Sequence, residues 1–235
     1  MEFLLGLFMP FFGTTLGAAT VFFLKGGLHE GVQRALLGFA AGVMMAASVW
    51  SLLLPAAELA AGPGWVPCLT GFLAGVAFLL GVERLADTGG LLAFAVTLHN
   101  VPEGMAVGVA LAGMGSGLSA ASALALSFGI AVQNIPEGAV ISLPLGAGGM
   151  KKARAFGRGV LSGAVEPVAS IFTAALVSFV RPVLPYILSF AAGAMIYVVV
   201  EELIPQAQSG ALTKSATLGA ALGFAVMMTL DIALG

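Results

Sequence analysis

Residues 35–56 read ALLGFAAGVMMAASVWSLLLPA, a run with no Asp, Glu, Lys or Arg anywhere in it. About 20 apolar residues in a helix span the roughly 30 Å hydrocarbon core of a bilayer, so this segment has the make-up of a transmembrane helix. Similar runs occupy roughly 3–24, 65–82, 90–113, 117–146, 155–179, 183–204 and 212–234, and the few charges fall in short clusters between them. Of the 235 residues 60% are apolar and 9% charged, and the mean hydropathy is +1.08. A water-soluble domain carries charge on about a quarter of its residues. The sequence therefore predicts an all-α polytopic membrane protein with about eight spans, forming one transmembrane domain over 1–235. The fifth run exceeds what a bilayer needs, which predicts a tilted, kinked or extended helix.

The first run opens Met1-Glu2-Phe3 without a basic stretch, and no small-residue cleavage site follows before Lys25, so it reads as a span and not as a cleavable signal. With eight spans and the first loop inside, Lys25, Arg34, Arg84, Lys151, Lys152, Arg154, Arg158 and Lys214 share one side and only Arg181 lies on the other. Positive charge collects on the cytoplasmic side, which predicts a multi-pass protein of the cytoplasmic membrane with both termini outside. The cluster from Lys151 to Arg158 is then the anchor of a cytoplasmic loop, with no nucleic-acid partner implied. Gly38-Phe39-Ala40-Ala41-Gly42 reads as a close helix contact, and the ten methionines as packing. With Cys68 alone, no intramolecular disulfide forms.

Charge inside hydrocarbon costs several kcal/mol unless it is paired or solvated, so intramembrane acids are functional candidates. Glu103, Glu137 and Glu166 fall near the middle of runs four, five and six; Glu201 and Glu202 lie towards the inner end of run seven, and Asp231 towards the outer end of run eight. No Lys or Arg lies at matching depth. Either these acids carry protons or a cation neutralises them.

Two of them sit in related hexapeptides, His99-Asn100-Val101-Pro102-Glu103-Gly104 and Gln133-Asn134-Ile135-Pro136-Glu137-Gly138. Residues three and four apart are neighbours on a helix. Glu103 thus adjoins both His99 and Asn100, and Glu137 both Gln133 and Asn134. One carboxylate shared between two neighbouring ligand pairs is what a two-metal site with bridging glutamates requires. Pro102 and Pro136 cannot donate to the carbonyls of Leu98 and Val132, which predicts kinked helices, and broken helices near the midplane recur at transporter ion sites. Imidazole, amide and carboxylate donors together suit Zn²⁺, Fe²⁺, Mn²⁺, Co²⁺ or Cd²⁺ better than Ca²⁺ or Cu⁺.

The two hexapeptides, Val165-Glu166-Pro167 and Glu201-Glu202-Leu203-Ile204-Pro205 resemble the ZIP (Zrt/Irt-like protein) family of divalent metal transporters, over nearly the whole chain. The resemblance implies inward carriage of zinc or a related metal as substrate, with no prosthetic group. It implies that helices 1–3 and 6–8 are inverted repeats flanking helices 4 and 5. It further implies one metal site of His99, Glu103, Gln133 and Glu137, and a second of Asn100, Asn134 and Glu166 with Glu103 and Glu137 shared. Family members are similar in forming dimers and in an elevator-like movement of the helices bearing the site. This chain departs from them in two ways. Asn134 stands where a carboxylate is frequent, and Gln133 where a histidine sometimes occurs. The short loop from Glu83 to about Gly89 also lacks the histidine-rich stretch common in the family.

Three other readings compete. An intramembrane zinc protease needs His-Glu-x-x-His, but Asn100 follows His99 and the other histidine, His29, belongs to the first loop. A proton-coupled carrier of another solute would use the same carboxylates as relays. A passive cation channel has no need of paired donors at two points on each helix.

Overall fold

The computed structural model describes residues 2–23, 29–87, 92–114, 118–179, 181–209 and 213–234. Lys25 lies outside the described residues, as do the side chains of His99, Pro102, Pro136 and Arg181. The described chain is helical, with eight rods running back and forth. Span one is Glu2–Phe22, span two Glu30–Glu58, span three Trp65–Asp87, span four Leu92–Gly113 and span five Ala120–Ala147. Span six joins Lys152–Gly163 to Val165–Phe179, span seven is Leu184–Gln208 and span eight Thr213–Leu234. Among the described residues, seven of these rods are long and apolar enough to cross a membrane, and span four contributes the apolar stretch Glu103–Gly113. Span two starts earlier than its apolar run because His29 caps it: Nδ1 accepts the Gly31 N–H at 3.2 Å. Span five ends where Gly149 adopts φ 90° and the Met150 N–H turns back to the Leu145 carbonyl.

The burial pattern is that of a protein solvated by lipid. Phe12, Leu16, Phe172 and Leu218 point outward, Phe172 with 70% of its surface exposed, whereas Glu103, Asn134 and Glu166 are inside, Glu166 at 0%. In water that arrangement would expose a large apolar surface and bury charge. In a bilayer it puts the apolar groups against acyl chains and the polar ones against each other.

Packing divides the rods into pairs: two with eight, three with seven, one with five, and four with six. Exchanging spans one, two, three and four for six, seven, eight and five maps this set of pairs onto itself, which is the pattern an internal repeat produces. Spans two and seven share a further feature. Each contains a widened π turn, Ser48–Leu53 and Val199–Leu203, just before Leu54-Pro55 and Ile204-Pro205. In both, the residue preceding the proline bonds five residues back, Leu54 to Val49 and Ile204 to Val199. Proline removes one bond of the ordinary ladder, and the turn loosens upstream of it.

Glycines make each pair close. A Cβ on Gly42 would strike the Ala220 carbonyl of span eight, and one on Gly193 the Phe72 carbonyl of span three. Gly13 receives the Ala131 carbonyl of span five, and Gly104 the Glu166 carbonyl of span six. Such approaches let Cα–H groups meet carbonyls across helices. The pairs then assemble as two bodies, one of spans one, four, five and six, the other of spans two, three, seven and eight. Between them span two meets span five, span four meets span seven, and span five meets span eight. There the fit is made by side chains: the hollow at Gly129 of span five takes the sulfur of Met227 from span eight.

The helical runs of spans four and five continue through positions 102 and 136 without interruption. One missing bond is tolerated because the neighbouring turns are clamped, Gly104 against span six and Gly138 against span one. The interruption falls in span six instead, at Ala164. Pro167 cannot donate to the Gly163 carbonyl, and the helix restarts at Val165 with Glu166 in its first turn.

Candidate metal centre

Five of the seven residues singled out by the sequence are buried together where spans four, five and six meet. Asn100, Glu103, Gln133, Asn134 and Glu166 have at most 1% of their surface exposed, and Glu137 is partly buried. His99 lies on span four, one helical turn before Glu103, with its side chain outside the described residues.

Hydrogen bonds tie the three helices together through these groups. Gln133 Nε2 donates to Glu103 Oε1 at 2.5 Å. Asn100 Nδ2 donates to Glu166 Oε1 at 3.2 Å and to the Ser162 carbonyl, at the break in span six, at 3.0 Å. Ser170 of span six donates to the Gly104 carbonyl at 2.7 Å. Asn134 lies beside both Glu103 and Glu166, yet neither its Oδ1 nor its Nδ2 makes a hydrogen bond of ordinary geometry. Glu137 is near enough to repel the charge of both Glu103 and Glu166, and Glu103 and Glu166 repel each other. Among the described residues, no three His, Cys, Asp or Glu side chains converge on one point. The carboxylates are interleaved with amides.

What the network leaves over is informative. Asn100 Oδ1, Glu103 Oε2, Gln133 Oε1, Asn134 Oδ1 and Glu166 Oε2 are all buried without a hydrogen-bond partner. An unsatisfied buried polar group costs about 1–3 kcal/mol, and these are five oxygen acceptors in one place. A cation satisfies such a group of acceptors. Oxygen donors alone suit hard ions, and the imidazole on the same turn of span four would shift the preference towards zinc-like metals.

Two participants were not anticipated. Thr14 of span one donates its hydroxyl to Glu166 Oε1 at 2.8 Å. Away from this centre, Ser51 in the π turn of span two donates to Asp231 Oδ1 at 2.6 Å, which gives the lone acid of span eight a partner. Neither residue carries a sequence signal, since hydroxyls are common in transmembrane helices and both contacts are long-range. On span seven, Glu201 is exposed and Glu202 half-buried, and Tyr197 donates to Glu83 of span three. Glu201 and Glu202 lie near enough to Tyr197 to act on it together with Glu83.

Comparison with known proteins adds to this geometry. Residues 82–231 match the family model described as ZIP Zinc transporter. Zinc transporter ZIP11 of Homo sapiens is 37% identical, the match covering 99% of this chain and 97% of that protein. Zinc transporter ZIPB of Bordetella bronchiseptica is 38% identical over 96% of this chain and 79% of its own length. Zinc transporter GufA of Myxococcus xanthus is 43% identical over 62% of this chain.

Proposed function

The chain belongs to the ZIP family of zinc transporters, and on that premise we propose that it carries Zn²⁺ into the cytoplasm through a two-metal site at mid-membrane. It is a multi-pass membrane protein that transports divalent metal, and its family is one of transporters, not enzymes. The observation that supports the site best is the group of five unpartnered buried oxygens on spans four, five and six.

In this proposal His99, Glu103, Gln133 and Glu137 hold one ion. Asn100, Asn134 and Glu166, with Glu103 and Glu137 shared, hold the other. Each bound ion supplies positive charge to carboxylates that otherwise repel one another, so the empty and loaded sites differ sharply in electrostatic energy. Gln133 and Asn100 position Glu103 and Glu166 by donating to one oxygen of each. The other oxygen of each faces the metal. Neutral amides among the donors, Asn100, Gln133 and Asn134, keep the ions exchangeable, which release requires.

The division into two bodies favours a carrier over a pore. All the proposed ligands belong to the body of spans one, four, five and six, so sliding that body along spans two, three, seven and eight would move the site as a unit. The asymmetry of basic residues favours termini outside and a cytoplasmic side at the loops after spans one, three, five and seven. A homodimer in the cytoplasmic membrane fits the family resemblance.

The test is uptake into vesicles containing only this protein, across Zn²⁺, Fe²⁺, Mn²⁺, Co²⁺ and Cd²⁺, with and without a pH gradient. Saturable, metal-selective uptake is expected. Non-saturating flux would indicate a channel, and no metal uptake with proton-driven movement of another solute would indicate the relay reading.

A further inference from the structure

Thr14 is the contact to the site that comes from span one. Its hydroxyl lies 2.8 Å from Glu166 Oε1, and both residues are fully buried. It is fixed from several directions. A Cβ on Gly163 would meet Thr14 Cβ at 2.8 Å and Oγ1 at 3.0 Å, and a Cβ on Gly138 would strike the Thr14 carbonyl. The hydroxyl has one further acceptor, the Pro10 carbonyl at 3.4 Å.

The internal repeat gives this position its meaning. Gly104 follows Glu103 and seats the backbone carbonyl of Glu166; Gly138 follows Glu137 and seats the backbone carbonyl of Thr14. Thr14 therefore occupies on span one the place that Glu166 occupies on span six. A carboxylate at both places would add a fourth negative charge to a centre whose three already repel. A hydroxyl stands there instead, and it donates to the carboxylate of the other half.

We propose that Thr14 is a positioning residue for the second metal site. Its hydroxyl, with Asn100 Nδ2, engages Glu166 Oε1 and leaves Oε2 as the single oxygen that carboxylate offers to metal. A carboxylate free to turn loses orientation on binding, whereas one held by a neighbouring donor has that cost removed beforehand. The proposal rests on the reading of Glu166 as a ligand, and its test must separate the two.

The experiment titrates purified full-length protein with Zn²⁺ by calorimetry and measures Zn²⁺ uptake in vesicles for the wild type, Thr14→Val, Thr14→Ser and Glu166→Gln. Glu166→Gln is expected to weaken or remove one of two binding events. Thr14→Val is expected to weaken that same event about tenfold and leave the other unchanged, raising the half-saturation concentration with the maximal rate retained. Thr14→Ser is expected to restore both. If Glu166→Gln removes an event that Thr14→Val leaves alone, the positioning role is overturned and the ligand reading stands. If Glu166→Gln alters neither event, the ligand reading falls and the proposal with it. Equal weakening of both events by Thr14→Val, or no rescue by serine, makes Thr14 a packing residue and overturns the proposal. Should Thr14→Val misfold, Thr14→Ala against Thr14→Ser decides in its place: alanine binding like serine overturns the positioning role.

Discussion

Gln133 Nε2 lies 2.5 Å from Glu103 Oε1, so the first residue of one hexapeptide holds the acid of the other. The two motifs form one unit across spans four and five, Glu103 of span four being oriented by Gln133 of span five. Removing Glu103 therefore disturbs both halves.

Glu103→Ala and Glu137→Ala should each lower Zn²⁺ uptake by at least about a hundredfold, since even loss of a group supporting a metal ligand costs about 10–100-fold. The metal-free protein should melt no earlier than the wild type, because truncating a buried carboxylate removes a desolvated charge. Uptake in vesicles and thermal unfolding without metal check the two halves of this statement. Near-normal uptake in both variants would remove the shared role of these acids.

His99→Ala should abolish most transport, whereas Glu166→Gln should mainly raise the half-saturation concentration or alter the choice among metals. Imidazole is the strongest nitrogen donor in the two hexapeptides, while the proposed second site keeps Asn100, Asn134 and the shared pair when Glu166 loses its charge. Equal loss of maximal rate in both variants would mean that the two sites are equally required.

Apparent metal affinity should fall as external pH drops from about 7 to 5, with the maximal rate at saturating metal retained. Metal and protons compete for imidazole and carboxylates, so binding releases protons. An imidazole of ordinary pKa about 6.5 is mostly neutral and available at pH 7 and mostly protonated at pH 5. Calorimetry at pH 6.5 in two buffers of different ionisation enthalpy measures the release directly. No proton release would mean that the ligands are other groups.

Gly104→Ala should destabilise the protein by about 1–3 kcal/mol, as overpacking does, although alanine is the better helix former. The new Cβ would strike the Glu166 carbonyl and lie 2.9 Å from Ala169 Cβ. It would force spans four and six apart, and Asn100 away from Glu166. Gly62→Ala is the control: a Cβ there meets nothing within 4 Å, and its change should stay within about 0.5 kcal/mol. Thermal unfolding of both, with Zn²⁺ titration of Gly104→Ala, reads the outcome.

Much of this was legible in the sequence, because both signals are one-dimensional. The apolar runs mark the rods, and acids without bases mark the membrane interior. That the amides and carboxylates of the two hexapeptides lie side by side could be read because three- and four-residue spacings hold on any helix. The pairing of rods and the partners of Glu166 and Asp231 could not. Thr14 and Ser51 look like any hydroxyl in a membrane helix until residues 152 and 180 positions away are brought beside them. The prolines make the same point. Pro55, Pro102, Pro136, Pro167 and Pro205 are alike as residues, yet the helix widens before Pro55 and Pro205, breaks just before Pro167 and runs on through 102 and 136. The residue type alone does not decide which of these a helix does.

The contrast between the glycine hollows that seat backbone carbonyls within each body and the described hollow at Gly129 between them has a mechanical consequence. A carbonyl seated in a glycine hollow, as Ala220 is at Gly42, leaves only if the two helices separate along their length, so each body resists shear as a block. The Met227 sulfur at Gly129 can withdraw by turning its own flexible side chain, while both backbones stay in place. Friction is therefore lowest along the plane where spans two and eight meet span five, and a rearrangement that preserves every hydrogen bond around the proposed metal ligands has that plane as its path of least resistance.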